Sequence, residues 1–201
     1  PVVDGVGVVD LDVTIGDNAT FTLHLLAHNA DYGRIHVRAM LGNGSHFELG
    51  GAILGSGQQT LEIVTETIHA EPNATSNQVV RSVLADKATG SFLGRINVAR
   101  HAQKTDAAQS VKAMLLDRGA TANAKPELEI FADDVKCAHG ATVGELDKQA
   151  LFYMASRGLD PATAKKLMLQ AFIADAFVSV GDDAVREGLE GKALEVMEGL
   201  S

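Results

Sequence analysis

A single cysteine in 201 residues has no partner for an internal disulfide, so no disulfide framework holds this fold, and a reducing compartment, the cytoplasm by default, is expected. Tryptophan is absent and aromatic residues make up only 4% of the chain, too sparse for a sugar-stacking surface. Basic residues are outnumbered, 17 Lys and Arg against 26 Asp and Glu. The resulting net charge of -9, with no basic cluster, argues against nucleic acid or an anionic membrane as partner. No apolar run approaches the roughly 18 residues that span a bilayer; the densest stretch, 171–180, contains Asp175. The start, PVVDGVGVVDLDV, lacks an initiating Met and a signal pattern and reads as the middle of a longer protein. Catalytic signatures are missing too. Ser45, Ser56 and Ser156 lack the Gly-x-Ser-x-Gly context, and Gly5 and Gly7 lack the third glycine of a dinucleotide turn.

What is present is a chain 46% hydrophobic, enough to bury a core. From about residue 13 to 144 it reads as strand after strand, punctuated by Gly, Asn, Asp and Ser. Phe21, Leu23, Leu25 and Ala27 alternate with Thr22, His24, Leu26 and His28, and Ile35, Val37, Ala39 and Leu41 with His36, Arg38 and Met40. Further strands are expected at 46–54, 60–69, 78–85, 91–99, 111–116 and 128–132. Glycine-rich connections and apolar strands without a strict repeat favour a parallel β-helix, whose open ends must be capped or paired and whose exposed flank is available to a partner.

At Gly144 the period changes. Leu146, Ala150, Tyr153, Met154 and Arg157 follow helical spacing, with Gly158 placed to end the helix. Asp160 and Pro161 make an N-cap and first-turn proline for a second helix expected to run to about Gly181. Asp182 and Asp183 open a third, with Val185, Leu189, Ala193, Val196 and Leu200 on one face. The fold class is therefore mainly β, a parallel β-helix over 1–143 followed by a three-helix subdomain over 144–201.

The chemistry-bearing run is ADDVKCAHGATVGELD at 132–147. In a strand Cys137 and His139 share a side with Cα atoms roughly 6.5–7 Å apart, so thiolate and imidazole can converge on one soft or borderline metal. Two ligands do not close a four-ligand site, so the others would come from another chain. The competing reading makes Cys137 a small buried hydrophobe and His139 a turn residue. Asp133 and Asp134, adjacent and on opposite faces, fit a turn better than the carboxylate pair of a β-helical carbohydrate-active enzyme. His24 and His28 read as surface histidines. Leu151, Phe152 and Tyr153 cannot all face one helix core; with Arg157, Gly158 and Leu159 they form a candidate docking segment, against a core-only alternative.

The segment ELEIFADDVKCAHGATVGELDKQALFYMASRGL, with the upstream ARHAQKTDAAQ and the Lys125-Pro126 step, resembles the SufB/SufD family of iron-sulfur cluster assembly proteins. The CAHGAT form is similar to the SufD branch, where SufB would carry a Glu-His-Glu-Ala type sequence. The resemblance implies a right-handed β-helix with C-terminal helices, a non-catalytic scaffold subunit that pairs with SufB along the β-helix and binds the SufC ATPase through the helices. It implies that His139 faces SufB where a transient iron-sulfur cluster is built, with Cys137 a secondary, conformationally gated thiol and the 151–159 segment docking SufC. ATP-driven closure of SufC would then open the shared interface. A scaffold without metal ligation is the alternative, and an unpaired β-helix flank allows a homodimer in isolation.

Overall fold

Inward-facing side chains at every second residue, joined by tight turns, wind the chain into a parallel β-solenoid. The computed structural model describes residues 5–200; Pro1, to which the expectation of a preceding segment attaches, lies outside them. Among the described residues there are ten strands: β1 (Val6–Ile15), β2 (Thr20–Ala27), β3 (Tyr32–Leu41), β4 (His46–Gly55), β5 (Thr60–His69), β6 (Thr75–Leu84), β7 (Thr89–Val98), β8 (Asp106–Leu115), β9 (Thr121–Ile130) and β10 (Lys136–Glu145). Odd strands stack in the order β1-β3-β5-β7-β9 and even strands in the order β10-β8-β6-β4-β2, so two parallel sheets face each other over five coils. One coil takes about thirty residues: Val6 lies opposite Tyr32, and Thr89 opposite Thr121.

The interior follows from alternation. Val37, Ala39 and Leu41 of β3 meet Phe47, Leu49 and Ile53 of β4, with Leu61, Ile63, Val80, Leu84 and Phe92 from the next coils. Each fully buried large side chain stabilises the fold by about 1.5–3 kcal/mol relative to exposure. The turns stack as well: Gly44 N–H donates to the Pro72 carbonyl, Asn73 to Gln103 and Lys104 to Asp134. Asn73 and Lys104 hold positive φ there, the left-handed conformation that Asn tolerates better than most residues.

The inward column also contains a polar layer. Thr65 donates its hydroxyl to Gln78 Oε1 at 2.8 Å, and Gln78 Nε2 donates to Thr67 Oγ1 at 2.8 Å. His69 hydrogen-bonds to Ser76 Oγ at 2.9 Å. Outside, the odd-strand sheet faces solvent with a charge ladder in register, Arg38 and Arg95 both on Glu66 at 2.8 and 3.0 Å.

Three helices follow, α1 (Lys148–Ser156), α2 (Pro161–Ala174) and α3 (Asp183–Glu198); α2 and α3 cover β4 and β6 of the even-strand sheet, and α1 packs on α2. Asp147, Asp160 and Asp182 are their N-caps, each carboxylate accepting from first-turn amides, and Pro161 occupies the first turn of α2. Leu169, Ile173, Ala176, Phe177, Val180, Ala193 and Met197 bury Ala52, Leu54 and Val83 on the outer face of β4 and β6. Two contacts fix this attachment. Gly50 lets the Ala176 carbonyl come so close that a Cβ there would collide with it. Arg81, 3% exposed, donates to Asp175 Oδ2 at 2.6 and 2.8 Å and to the carbonyls of Val80 and Ser110.

The structure departs from the sequence reading in several places. The strand pattern begins at Val6 rather than near residue 13, β8 begins at Asp106, and β9 covers Thr121–Ile130 instead of 128–132. The inward positions of these strands are small or polar, such as Ala107, Gln109, Ala122 and Ala124, so periodicity did not mark them. Helix α2 stops at Ala174, well short of Gly181, because Asp175 turns to meet Arg81 and Ala176 to meet Gly50. On α3 the buried positions are Ala193 and Met197, while Val185 is exposed. His24 and His28 are half-buried rather than free on the surface, His24 lying against Phe177 and hydrogen-bonded to Ser179.

Two outcomes are expected. Gly50→Ala should push the 175–180 segment off the solenoid at about 1–3 kcal/mol, lowering the melting temperature by about 2–12 °C and exposing the helices to protease; an unchanged melting curve and digest would contradict this attachment. Burial pushes the His69 pKa down to about 4, against a smaller opposing contribution from the Ala74 backbone. The unfolded chain therefore takes up the proton first, near pH 6.5. The neutral-His69 contribution is complete above that pH and is lost as pH falls from about 6.5 to about 4. Urea unfolding should show the parent losing about 3 kcal/mol over this window relative to His69→Gln. Parallel pH curves for the two proteins would refute it.

Candidate functional site

The solenoid ends on β9 and β10, each the outermost strand of its sheet. A coil inside the stack is covered on both sides by its neighbours; this one carries no further coil, and its side chains show it. Along β10 only Cys137 is partly buried, and every other residue is exposed. Beneath it lies β8 in register, Ala107 under Cys137, Gln109 under His139, Val111 under Ala141 and Ala113 under Val143. Since Ala107, Gln109, Val111 and Ala113 are the buried, inward-facing residues of β8, the in-register residues of β10 lie on the same side, above an open coil end.

Cys137 and His139 are thus brought to one face, as alternation requires, but in different surroundings. Cys137 packs with Ala99, Leu128 and Val135 at the edge of the small apolar cluster of Ile96, Val98, Ala102, Ala107 and Ala132. Burial, and after it the Asp106 carboxylate, push its thiol above the ordinary value, opposed by a hydrogen bond from the Ala107 backbone. The thiol form therefore dominates at neutral pH. His139 is exposed beside Gly140, where a side chain would meet nothing. Among the described residues no group of three His, Cys, Asp or Glu side chains comes together in a metal-holding arrangement. One soft donor and one borderline donor thus share an open coil end.

The Asp133 and Asp134 pair lies in the turn before β10, exposed, with Asp134 paired to Lys104 and its amide donating to Gln103 Oε1. That is a turn, as the adjacent carboxylates suggested. Helix α1 has no buried residue; Phe152 and Tyr153 are 76% and 59% exposed, Leu151 and Leu159 half-buried. The Arg157 guanidinium sits 5.4 Å from the Tyr153 ring centroid and donates to its hydroxyl, and Gly158 takes φ +88° to end the helix. Among the described residues no helix is long and apolar enough to cross a membrane. Gln109, buried on the inward face of β8, was missed in the sequence, where a lone glutamine in an Ala- and Ser-containing run gives no periodic signal.

Comparison with known proteins gives a consistent picture. The family described as SUF system FeS cluster assembly, SufBD core domain, matches residues 4–172. The chain is 39% identical over 119 residues to the iron-sulfur cluster assembly protein SufD of Escherichia coli (strain K12), covering 59% of this chain and 28% of that protein. It is 35% identical over 131 residues to Protein ABCI7, chloroplastic, of Arabidopsis thaliana, covering 65% and 28%. It is 30% identical over 203 residues to the SufBD family protein Rv1462 of Mycobacterium tuberculosis (strain ATCC 25618 / H37Rv), covering 88% and 51%. The chain thus spans between about a quarter and a half of the length of these relatives.

The raised thiol pKa generates a measurement. Alkylation of Cys137 by iodoacetamide should be slower than that of a free cysteine peptide at pH 7–8, rise only at more alkaline pH, and quicken in Asp106→Asn. A rate at pH 7 equal to the peptide's would show the thiol to be uncovered.

Proposed function

The chain belongs to the SufBD core domain family of the SUF iron-sulfur cluster assembly system, and on that premise we propose that it is a SufD-like, non-catalytic scaffold subunit contributing ligands to a cluster under construction. The observation that carries the reading is the uncovered last coil, with exposed His139 and half-buried Cys137 on one side of β10, whose outer edge has no neighbouring strand among the described residues. An unpaired strand edge offers backbone donors and acceptors to another chain, and β10 has neither a proline nor a covering helix to blunt it. SufB laid against this end would supply the remaining ligands of a site that one imidazole and one thiol leave incomplete.

The two parts of the chain divide the work in this reading. The solenoid part, β1 to β10, carries the ligands and the SufB face. The helical part, α1 to α3, receives the SufC ATPase through the segment of Leu151, Phe152, Tyr153, Arg157, Gly158 and Leu159, whose aromatic rings stand in solvent. The Arg81–Asp175 bridge and the Gly50 contact tie the chain after α2 directly to the β4 and β6 strands, so a pull on the helices is transmitted to the solenoid. Such a pull would uncover Cys137, whose resting state is the protonated, packed thiol. In this reading His139 would offer a ring-nitrogen lone pair to iron, and Cys137 would join as thiolate once uncovered and metal-bound. The cluster is cargo here, assembled and passed on. Cytoplasmic placement belongs to the same proposal.

In a reconstituted complex of this protein with SufB and SufC, His139→Ala should leave subunit stoichiometry unchanged and lower cluster formation about tenfold or more, read by Mössbauer spectroscopy and iron content. Undiminished cluster in that variant would remove His139 from the chemistry and leave the structural scaffold as the reading.

A further inference from the structure

One buried polar side chain in the solenoid has neither of its polar atoms hydrogen-bonded within the chain. Gln109, on the inward face of β8, is 3% exposed, and neither its Oε1 nor its Nε2 has a hydrogen-bond partner. Buried amides are almost always satisfied, so an orphan of this kind calls for a partner that the chain itself does not supply. Its surroundings narrow the choice. In register on β6 lies Gln78, whose own amide is engaged by Thr65 and Thr67. In register on β10 lies His139. Adjacent strands are about 4.8 Å apart, and side chains facing the same way at matched register are within mutual reach. From β7 the chain approaches at Gly94, where a Cβ would lie 2.8 Å from Gln109 Nε2 and would also strike the Phe92 ring. Glycine at 94 therefore clears the space the amide occupies, and the Phe92 ring borders it.

We propose that Gln109 is a positioning residue for His139: when a partner covers the coil end, its amide oxygen accepts a hydrogen bond from one ring N–H of the imidazole. The inference rests on the reading of His139 as a ligand. A neutral imidazole has one N–H and one lone pair, and the nitrogen held by Gln109 must be the one carrying hydrogen. The other nitrogen is then left with its lone pair directed away from the interior, towards the covered end. The tautomer and the ring plane are set by the same bond, which is what outer-sphere partners of ligating histidines do. The arrangement also accounts for a polar residue between two apolar positions, Ala107 and Val111, in a column that otherwise closes on itself.

The test uses anaerobic titration of Fe2+ into the assembled complex with the SufB-type partner. Gln109→Met keeps the side-chain length and removes the acceptor, with Gln109→Leu read in parallel; Gln109→Glu keeps an acceptor. Expected is about tenfold weaker Fe2+ binding in Gln109→Met, recovery in Gln109→Glu, unchanged stoichiometry, and no further loss when Gln109→Met is added to His139→Ala. If His139→Ala itself leaves Fe2+ binding unchanged, the ligand reading fails and this one with it. If His139→Ala weakens binding but Gln109→Met does not, or if Gln109→Met costs as much with His139 already replaced, His139 remains a ligand and Gln109 is not its positioning residue.

Discussion

In a parallel solenoid the inward side chains of each coil are covered by the coils on either side, and this rule gives every other feature of the molecule its place. It buries the apolar side chains of the middle coils, from Leu41 through Phe47, Leu61 and Leu84. It also means that the last coil is unfinished by construction. β10 inherits the inward direction of β8 without inheriting a cover, and the chain puts its one cysteine and an exposed histidine there. The same geometry that stabilises the fold leaves donor atoms at an open end, where, in the proposed complex, a second protein would complete both the packing and a metal site.

The helices obey a different constraint. Their caps and first-turn proline are local, but their position is decided by a close backbone approach at Gly50 and by the nearly buried guanidinium of Arg81. A buried charge is costly unless fully engaged, and Arg81 is engaged by a carboxylate, two carbonyls and the Ser110 hydroxyl. That makes the 175–180 segment a joint with one well-defined seat rather than a loose linker. In the proposed complex, force applied to the exposed aromatic helix has a rigid route into the coil stack.

Polar residues inside the solenoid mark where stability and chemistry meet. Thr65, Thr67 and Gln78 satisfy each other, and His69 is kept neutral by burial. Gln109, one rung further towards the open end, is the member with neither polar atom paired. The progression from a closed network to an orphan amide to an exposed histidine follows the coil axis towards the proposed partner surface.

Much of this was legible in the sequence. Alternation in 21–27 and 35–41, the change of period at Gly144, and the caps at Asp160 and Asp182 are local signals, because side-chain direction and capping depend on residues a few positions apart. The segment around Cys137 and His139 likewise carried its own resemblance, and the shared side of the two residues followed from strand geometry. Strands β8 and β9 were only partly legible, since alanine and glutamine at inward positions hide the period. Tertiary structure alone decided the rest. That Cys137 is half-covered while His139 is open, that α2 breaks at Asp175, and that Gln109 stands under His139 all depend on residues about thirty or more positions apart, brought together by coil stacking and helix docking, which no local pattern encodes.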